Sequence, residues 1–255
     1  MKIATFNVNS LRVRQQVILN WLKEYKPDVL CLQETKVQDK DFPADAFADT
    51  GYEFIFKGQK SYNGVAIFSK HKFKDIQIGF DDEPNDGPRL IKAKIGKVNI
   101  VNTYIPQGYM PETDKFQYKL QWFKRLRKFF EDNFKPSDLI IWTGDLNAAM
   151  EDKDVHDPIG LKGHVCFCDE TTKAIQNVID FGFVDTFRLH NQEPGQYTFW
   201  DYRLRTLSGN QGWRLDYIYA TKPLAKKCIS CIIDKKPRTM NRPSDHTPLI
   251  AEFDI

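Results

Sequence analysis

Leu139-Ile140-Ile141-Trp142-Thr143-Gly144-Asp145-Leu146-Asn147 is the stretch whose reading decides the fold. Its first half holds β-formers without a charge and is bounded by Gly144, so it reads as a buried strand. Side chains alternate along an extended chain. Asp145 and Asn147, two apart, are therefore expected to project together from the strand's carboxyl end. Open α/β sheets carry their chemistry there. A carboxylate beside an amide suits a hydrated divalent cation and a phosphoryl oxygen. The competing reading is a polar turn, with Asn147 capping the next segment. Whether other strands end in the same way decides between them.

Working outward, strand patterns cover residues 2–8, 29–32, 52–56, 64–69, 73–78, 90–94 and 98–104 before this stretch. After it, strands are expected at 216–220, 229–234 and 247–253. Helical periodicity covers 14–25, with Val17, Ile18, Trp21 and Leu22 on one face and Pro27 ending it. A long helix fits 113–133, where Phe116, Leu120, Phe123, Leu126 and Phe130 recur. Its basic residues, Lys119, Lys124, Arg125, Arg127 and Lys128, read as a solvated face. A further helix fits 171–181, after an irregular stretch running to about residue 165. No composition break, linker or sequence repeat divides the chain, so one domain is expected over residues 1–255. Runs of strands flanked by helices suggest sheets covered by helices.

The 37 basic and 34 acidic residues leave a net charge of +3, too weak to announce a nucleic-acid binder alone. The N-terminus runs into a strand with no signal core, and no apolar run is long enough to span a membrane. A cytoplasmic protein without membrane attachment is the expectation. Of the five cysteines, Cys166 and Cys168, with Cys228 and Cys231, have a spacing open to a zinc site. Cys31 and Cys228 lie in apolar, strand-like runs, where cysteine acts as a small hydrophobe. That disfavours zinc, and the odd number disfavours a disulfide framework.

The other strand ends answer the question about Asp145 and Asn147. Asn7 and Asn9 close the first strand, Glu34 follows the next, and Tyr104 closes another. Asp216 opens a strand, and Asp245 with His246 precedes the last. Each has a bland reading as a cap, turn former or surface polar group, but the bland readings would have to hold together at six places. Glu34 with Asp145 or Asp245 offers hard oxygen ligands for Mg²⁺ or Mn²⁺. Asp216 is placed to orient His246 as a dyad. The set suits metal-assisted attack of water on a phosphodiester. No Walker-type phosphate loop is present, so no nucleotide cofactor is expected.

Five blocks carry a resemblance: Phe6-Asn7-Val8-Asn9-Ser10-Leu11-Arg12, Leu32-Gln33-Glu34-Thr35-Lys36, Gly144-Asp145-Leu146-Asn147, Trp213-Arg214-Leu215-Asp216-Tyr217 and Ser244-Asp245-His246. They resemble the signature blocks of the endonuclease/exonuclease/phosphatase superfamily, in family order and spacing over nearly the whole chain. Within it the chain is similar to the exonuclease III-like apurinic/apyrimidinic endonucleases. Val184-Asp185-Thr186-Phe187-Arg188 adds support for this branch.

The resemblance implies an α+β, DNase I-like, four-layer α/β sandwich: two packed, mainly antiparallel sheets flanked by helices. It implies a monomer that incises duplex DNA on the 5′ side of abasic sites with Mg²⁺, Mn²⁺ serving as substitute. Blocked 3′ ends would be further substrates, through 3′-5′ exonuclease and 3′-end-cleaning phosphodiesterase or phosphatase activity. Action on the nucleoid would follow. By position, Glu34 resembles the principal metal ligand, with Asn7, Asp145, Asn147 and Asp245 completing the metal set. Tyr104 resembles the tyrosine on the scissile phosphate. Asp145 resembles the acid that activates water or protonates the leaving oxygen, and Asn147 the amide supporting the transition state. His246, held by Asp216, resembles the phosphate-contacting histidine.

Phe199, Trp213 and Leu215 resemble the wall of a pocket for a flipped-out sugar without its base. Arg12, Lys36, Gln107 and the basic run from Lys235 to Arg238 would contact phosphates. Two stretches depart from the family wording: 163–170, and a short loop at 107–112. The alternative reading is another phosphohydrolase of the superfamily, acting on a lipid or inositol phosphate. A non-catalytic DNA-binding module would not need the complete acid set.

Overall fold

The computed structural model describes residues 1–82, 87–202 and 206–255. The strands are β1 (Lys2–Asn7), β2 (Val29–Gln33), β3 (Glu53–Lys57), β4 (Val65–Ser69), β5 (Phe73–Ile78) and β6 (Leu90–Ile95). They continue with β7 (Val98–Tyr104), β8 (Ile140–Asp145), β9 (Phe183–Asp185), β10 (Asp216–Thr221), β11 (Cys228–Ile233) and β12 (Leu249–Phe253). The helices are α1 (Leu11–Tyr25), α2 (Ala44–Phe47), α3 (Asp114–Asn133), α4 (Asp169–Ile179), α5 (Thr186–His190) and α6 (Lys222–Ala225). None among the described residues is long and apolar enough to cross a membrane.

The strands form two six-stranded sheets, ordered β11-β12-β1-β2-β4-β3 and β5-β6-β7-β8-β10-β9. Each has a single parallel pair, β1 with β2 and β7 with β8, among antiparallel neighbours. Parallel pairing needs a crossover, and α1 and α3 supply it. The central strands bury both faces. Ile3, Val29, Cys31, Ile67, Ile91, Ile100, Ile141 and Ile218 meet between the sheets. Their alternates Ala4, Phe6, Leu30 and Leu32 pack under Ile18, Trp21 and Leu22 of α1. On the other sheet, Val101, Ile140 and Trp142 pack under Trp122, Phe123 and Phe130 of α3 and Ile175 of α4. Each buried Val, Leu, Ile or Phe side chain among them contributes roughly 1.5–3 kcal/mol before entropy is counted. These are the expected four layers.

Several expectations need correction. Helix α1 starts at Leu11 and not at 14, because Leu11 is itself buried under the sheet. No element was expected at Phe183–Asp185 or Thr186–His190, each too short for its periodicity to show. Asp185 caps α5 by accepting from the Phe187 and Arg188 amides. Lys119 does not belong to a solvated face, since it is completely buried. It sits on the apolar stripe of α3 between Phe116 and Phe123, which the spacing alone could have revealed. Cys31 and Cys231 lie in the core between the sheets, and Cys166 and Cys168 in a separate cluster with Phe116 and Leu215.

Candidate active site

Strand register builds the centre. Tyr104 pairs with Asp145 across the parallel β7–β8 ladder, and Asp145 pairs with Asp216 across the antiparallel β8–β10 ladder. Three neighbouring strands thus present a phenol and two carboxylates in one row. Close passage of β7 and β8 requires Gly144: a Cβ there would lie 1.9 Å from the Thr103 carbonyl oxygen, and its φ is +133°.

Asp145 and Asn147 do meet, but not by strand alternation. The strand ends at Asp145, and Asn147 takes a left-handed φ of 47°. The chain turns so that the Asn147 amide N–H donates to Asp145 Oδ1 at 2.8 Å, a side-chain-closed turn. The Asn147 side chain donates to the Ile105 carbonyl at 3.0 Å. The turn reading and the functional reading therefore describe the same two residues.

The second sheet supplies Asn7 and Glu34. Asn7 Nδ2 donates to Glu34 Oε1 at 2.8 Å and to Asp145 Oδ2 at 2.7 Å, joining the two carboxylates across the sheets. Its Oδ1 accepts from the Asn9 amide N–H, so Asn7 presents nitrogen to the carboxylates. Glu34, at φ 51°, also pairs with Lys36 at 2.6 Å.

His246 completes the group. Its Nδ1 lies 2.7 Å from Asp216 Oδ2 and its Nε2 3.7 Å from Asp145 Oδ2. The expected Asp216–His246 dyad is thus formed, and Asp216 is held from below by the Thr198 hydroxyl on its N–H. Glu34, Asp145 and His246 offer ligand atoms that all lie within 4.8 Å of one another. Asp245 stands outside that trio. Its Oδ1 accepts from Asn9 Nδ2 at 2.9 Å and from the Ser244 hydroxyl.

Burial sets the protonation of the group. Asp145 is pushed up to about 7, first by burial and then by Asp216 and Glu34, although His246 pulls it down. Burial disfavours the charged His246 ring, but Asp216 and Asp145 outweigh it and carry its pKa up to about 10. Burial, with Glu34 and Asp145, holds the Tyr104 phenol well above its usual value, so it remains a donor. The arrangement offers a proton-exchanging carboxyl, an imidazolium and a phenol beside the partly exposed Glu34. That is a set matched to a phosphoryl group and a cation.

The apolar wall is adjacent. Phe199 and Trp213 pair in a short antiparallel bridge, and the Phe199 ring centroid is 4.9 Å from that of His246. Leu215 is buried in the cluster with Phe116, Val165 and Cys166, against which Phe199 and Trp213 pack. Between Trp213 and Leu215, fully buried Arg214 donates to Asp154 at 2.7 and 3.0 Å and to Asp185 at 2.7 Å, and Arg188 also pairs with Asp154. This ionic network locks the wall from behind.

Of the residues expected to meet phosphates, Arg12 and Gln107 are exposed, and Lys36 is tied to Glu34 and Asn9. The basic run from Lys235 to Arg238 is different. Arg238 is buried, donating to the Ser244 and Trp200 carbonyls, and Lys236 pairs with Glu24. Arg238 therefore holds the loop that carries His246. Sequence reading also passed over the linking role of Asn9, whose side chain joins Asp245, Lys36 and Tyr202, and Arg89, which stacks 4.9 Å over the Tyr104 ring. Asn9 was legible as the second amide of the first strand end, whereas Arg89 carried no local signal.

Comparison with known proteins bears on the same residues. The family model described as endonuclease/exonuclease/phosphatase family matches residues 4–246. An exodeoxyribonuclease III from Haemophilus influenzae is 32% identical, covering 99% of this chain and 100% of its own. The structure of an AP endonuclease from Archaeoglobus fulgidus superposes with TM-score 0.96 at 46% identity, covering 100% of both chains. A 3′ phosphatase from Neisseria, solved with a product DNA hairpin, gives TM-score 0.96 at 36% identity, again over 100% of both chains. With matches of this length across the blocks that build the centre, the chain belongs to the endonuclease/exonuclease/phosphatase family, in its exonuclease III and AP endonuclease branch.

Proposed function

We propose that this protein is a metal-dependent DNA-repair nuclease that hydrolyses the phosphodiester on the 5′ side of abasic sites in duplex DNA. The same centre would trim 3′ ends as an exonuclease and as a phosphodiesterase or phosphatase. The observation that carries the reading is the convergence of Glu34, Asp145 and His246 beside the wall of Phe199, Trp213 and Leu215. The first set handles a phosphodiester, and the second accepts a sugar that has no base to exclude. The relatives named above are an exodeoxyribonuclease, an AP endonuclease and a 3′ phosphatase, which supports the same assignment here.

Mg²⁺ fits the donor set. Glu34 would be its principal ligand, with Asp145, Asn147, Asp245 and a turned Asn7 amide completing or orienting the site. The set already attracts a compact cation: the Lys36 ammonium lies 2.6 Å from both Glu34 Oε2 and Asn9 Oδ1. Bound there, Mg²⁺ would stabilise charge building on the phosphoryl oxygens. Tyr104 and the His246 imidazolium would donate to the same oxygens. Asp145, titrating near neutrality, would exchange a proton with water or with the departing 3′ oxygen, and the Asn147 amide would support the transition state. Arg12, Lys36 and Gln107 would contact the DNA backbone, giving affinity that falls with salt.

The test is cleavage of an abasic duplex, an undamaged recessed 3′ end, inositol phosphates and sphingomyelin by the same preparation with Mg²⁺. Incision of the abasic duplex in large excess over the others is expected. No incision of that duplex would sink the reading, and turnover of the lipid or inositol phosphate alone would establish the alternative.

A further inference from the structure

Lys119 is buried completely, and all three protons of its ammonium are used on main-chain carbonyls. Nζ donates to Gln107 O at 3.2 Å, Asn147 O at 2.8 Å and Val165 O at 3.0 Å. Among the described residues no carboxylate lies within ion-pair distance of it. Burying an ammonium without a counter-ion costs several kcal/mol, and the three carbonyls offset that cost by accepting from it, whereas an apolar side chain would leave them short of a donor.

The three carbonyls come from two connections. Gln107 lies between β7 and α3, whereas Asn147 and Val165 lie near opposite ends of the long stretch between β8 and α4. Val165 packs with Leu215 and Trp213 in the pocket wall. The first connection passes so close over the lysine stem that a Cβ at Gly108 would lie 3.0 Å from Lys119 Cδ. Asn147 is gripped from both sides of its backbone, its N–H by Asp145 and its carbonyl by Lys119, while its φ of 47° is one that asparagine tolerates but does not prefer.

We propose that Lys119 is a positioning residue for phosphodiester hydrolysis, its ammonium clamping three loop carbonyls so that the turn at Asn147 keeps that residue's side-chain carboxamide beside Asp145. The role rests on the hydrolase reading above. It requires the tetrahedral fan of an ammonium, which the planar fork of arginine cannot reproduce. It acts through the Asn147 side chain, so its loss should be masked once that carboxamide is gone.

The experiment is a double-mutant cycle of Lys119→Met and Asn147→Ala, read as kcat and KM on an abasic duplex with saturating Mg²⁺. Displacement of a catalytic group by about 1 Å costs about 100-fold, so Lys119→Met should lower kcat about that much and leave KM within about threefold. In the Asn147→Ala background the further loss should be under about threefold. A kcat within about threefold of wild type overturns the proposal, as does an equal loss in both backgrounds. Should Lys119→Met fail to fold, Lys119→Arg carries the same cycle with the charge retained, and the same two outcomes overturn it. If the wild type leaves the abasic duplex intact, the nuclease reading fails instead. The cycle is then read on bis-p-nitrophenyl phosphate with Mg²⁺, where the same criteria apply.

Discussion

The two sheets share one topology. Taken from the edge, β11-β12-β1-β2-β4-β3 corresponds strand for strand to β5-β6-β7-β8-β10-β9, the first sheet drawing its opening two strands from the far end of the chain. In each, a helix bridges the central parallel pair, and the second strand of that pair leads into a carboxylate: Glu34 after β2, Asp145 at the end of β8. Their surroundings differ. The Glu34 side chain is 16% exposed and holds a cationic partner, whereas Asp145 is 1% exposed and burial carries it to about 7. Equivalent positions have thus been given different solvation. The open carboxylate suits a hydrated cation, and the closed one suits a proton that moves at neutral pH.

The largest expected effect comes from the closed side. Asp145→Asn should lower kcat on an abasic duplex by about 10⁴-fold, since it removes proton transfer. Single-turnover rates would show it, and the comparison breaks if the loss is instead recovered by more Mg²⁺. On the open side, Glu34→Gln should cost about 100-fold at low Mg²⁺, because the metal's charge stabilisation is worth several kcal/mol. Raising Mg²⁺ should restore part of that loss, and calorimetry should show weaker metal binding. Unchanged metal affinity would reassign Glu34.

A smaller effect lies in the wall. Trp213→Ala should reduce the preference for abasic over undamaged duplex about tenfold, as expected for lost apolar discrimination. An unchanged ratio would remove the tryptophan from the pocket.

The smallest is a pH effect in metal-free protein. His246 is raised from 6.5 to about 10 on folding, so its contribution to stability is complete below 6.5 and lost as pH rises towards 10. Urea midpoints of wild type minus His246→Asn, in chelator, should therefore converge as the solution becomes alkaline. A constant difference would mean that the dyad does not hold the extra proton.

Much of this centre was legible because strand periodicity and turn chemistry are local. Glu34, Tyr104, Asp145, Asp216 and His246 could each be placed at the end or beginning of an element. The paths that bring them together were not. The extended-chain argument for Asp145 and Asn147 reached the right neighbours by the wrong geometry, since the backbone turns at Asn147. Lys119 and Arg238 were read as solvent-facing or phosphate-facing because charge argues for exposure. Each is buried because carbonyls from distant loops converge on it and replace water as hydrogen-bond acceptors.

The sequence by itself determined the kinds of elements, sheets covered by helices, and the chemical inventory of acids, amides, phenol and imidazole. Those follow from side-chain period and functional group, which neighbours along the chain decide. Tertiary structure alone decided which carboxylate is dry, which lysine is a strut and which ring nitrogen meets which acid. Solvation and field depend on what packs from remote parts of the chain, and no local window of sequence contains that information.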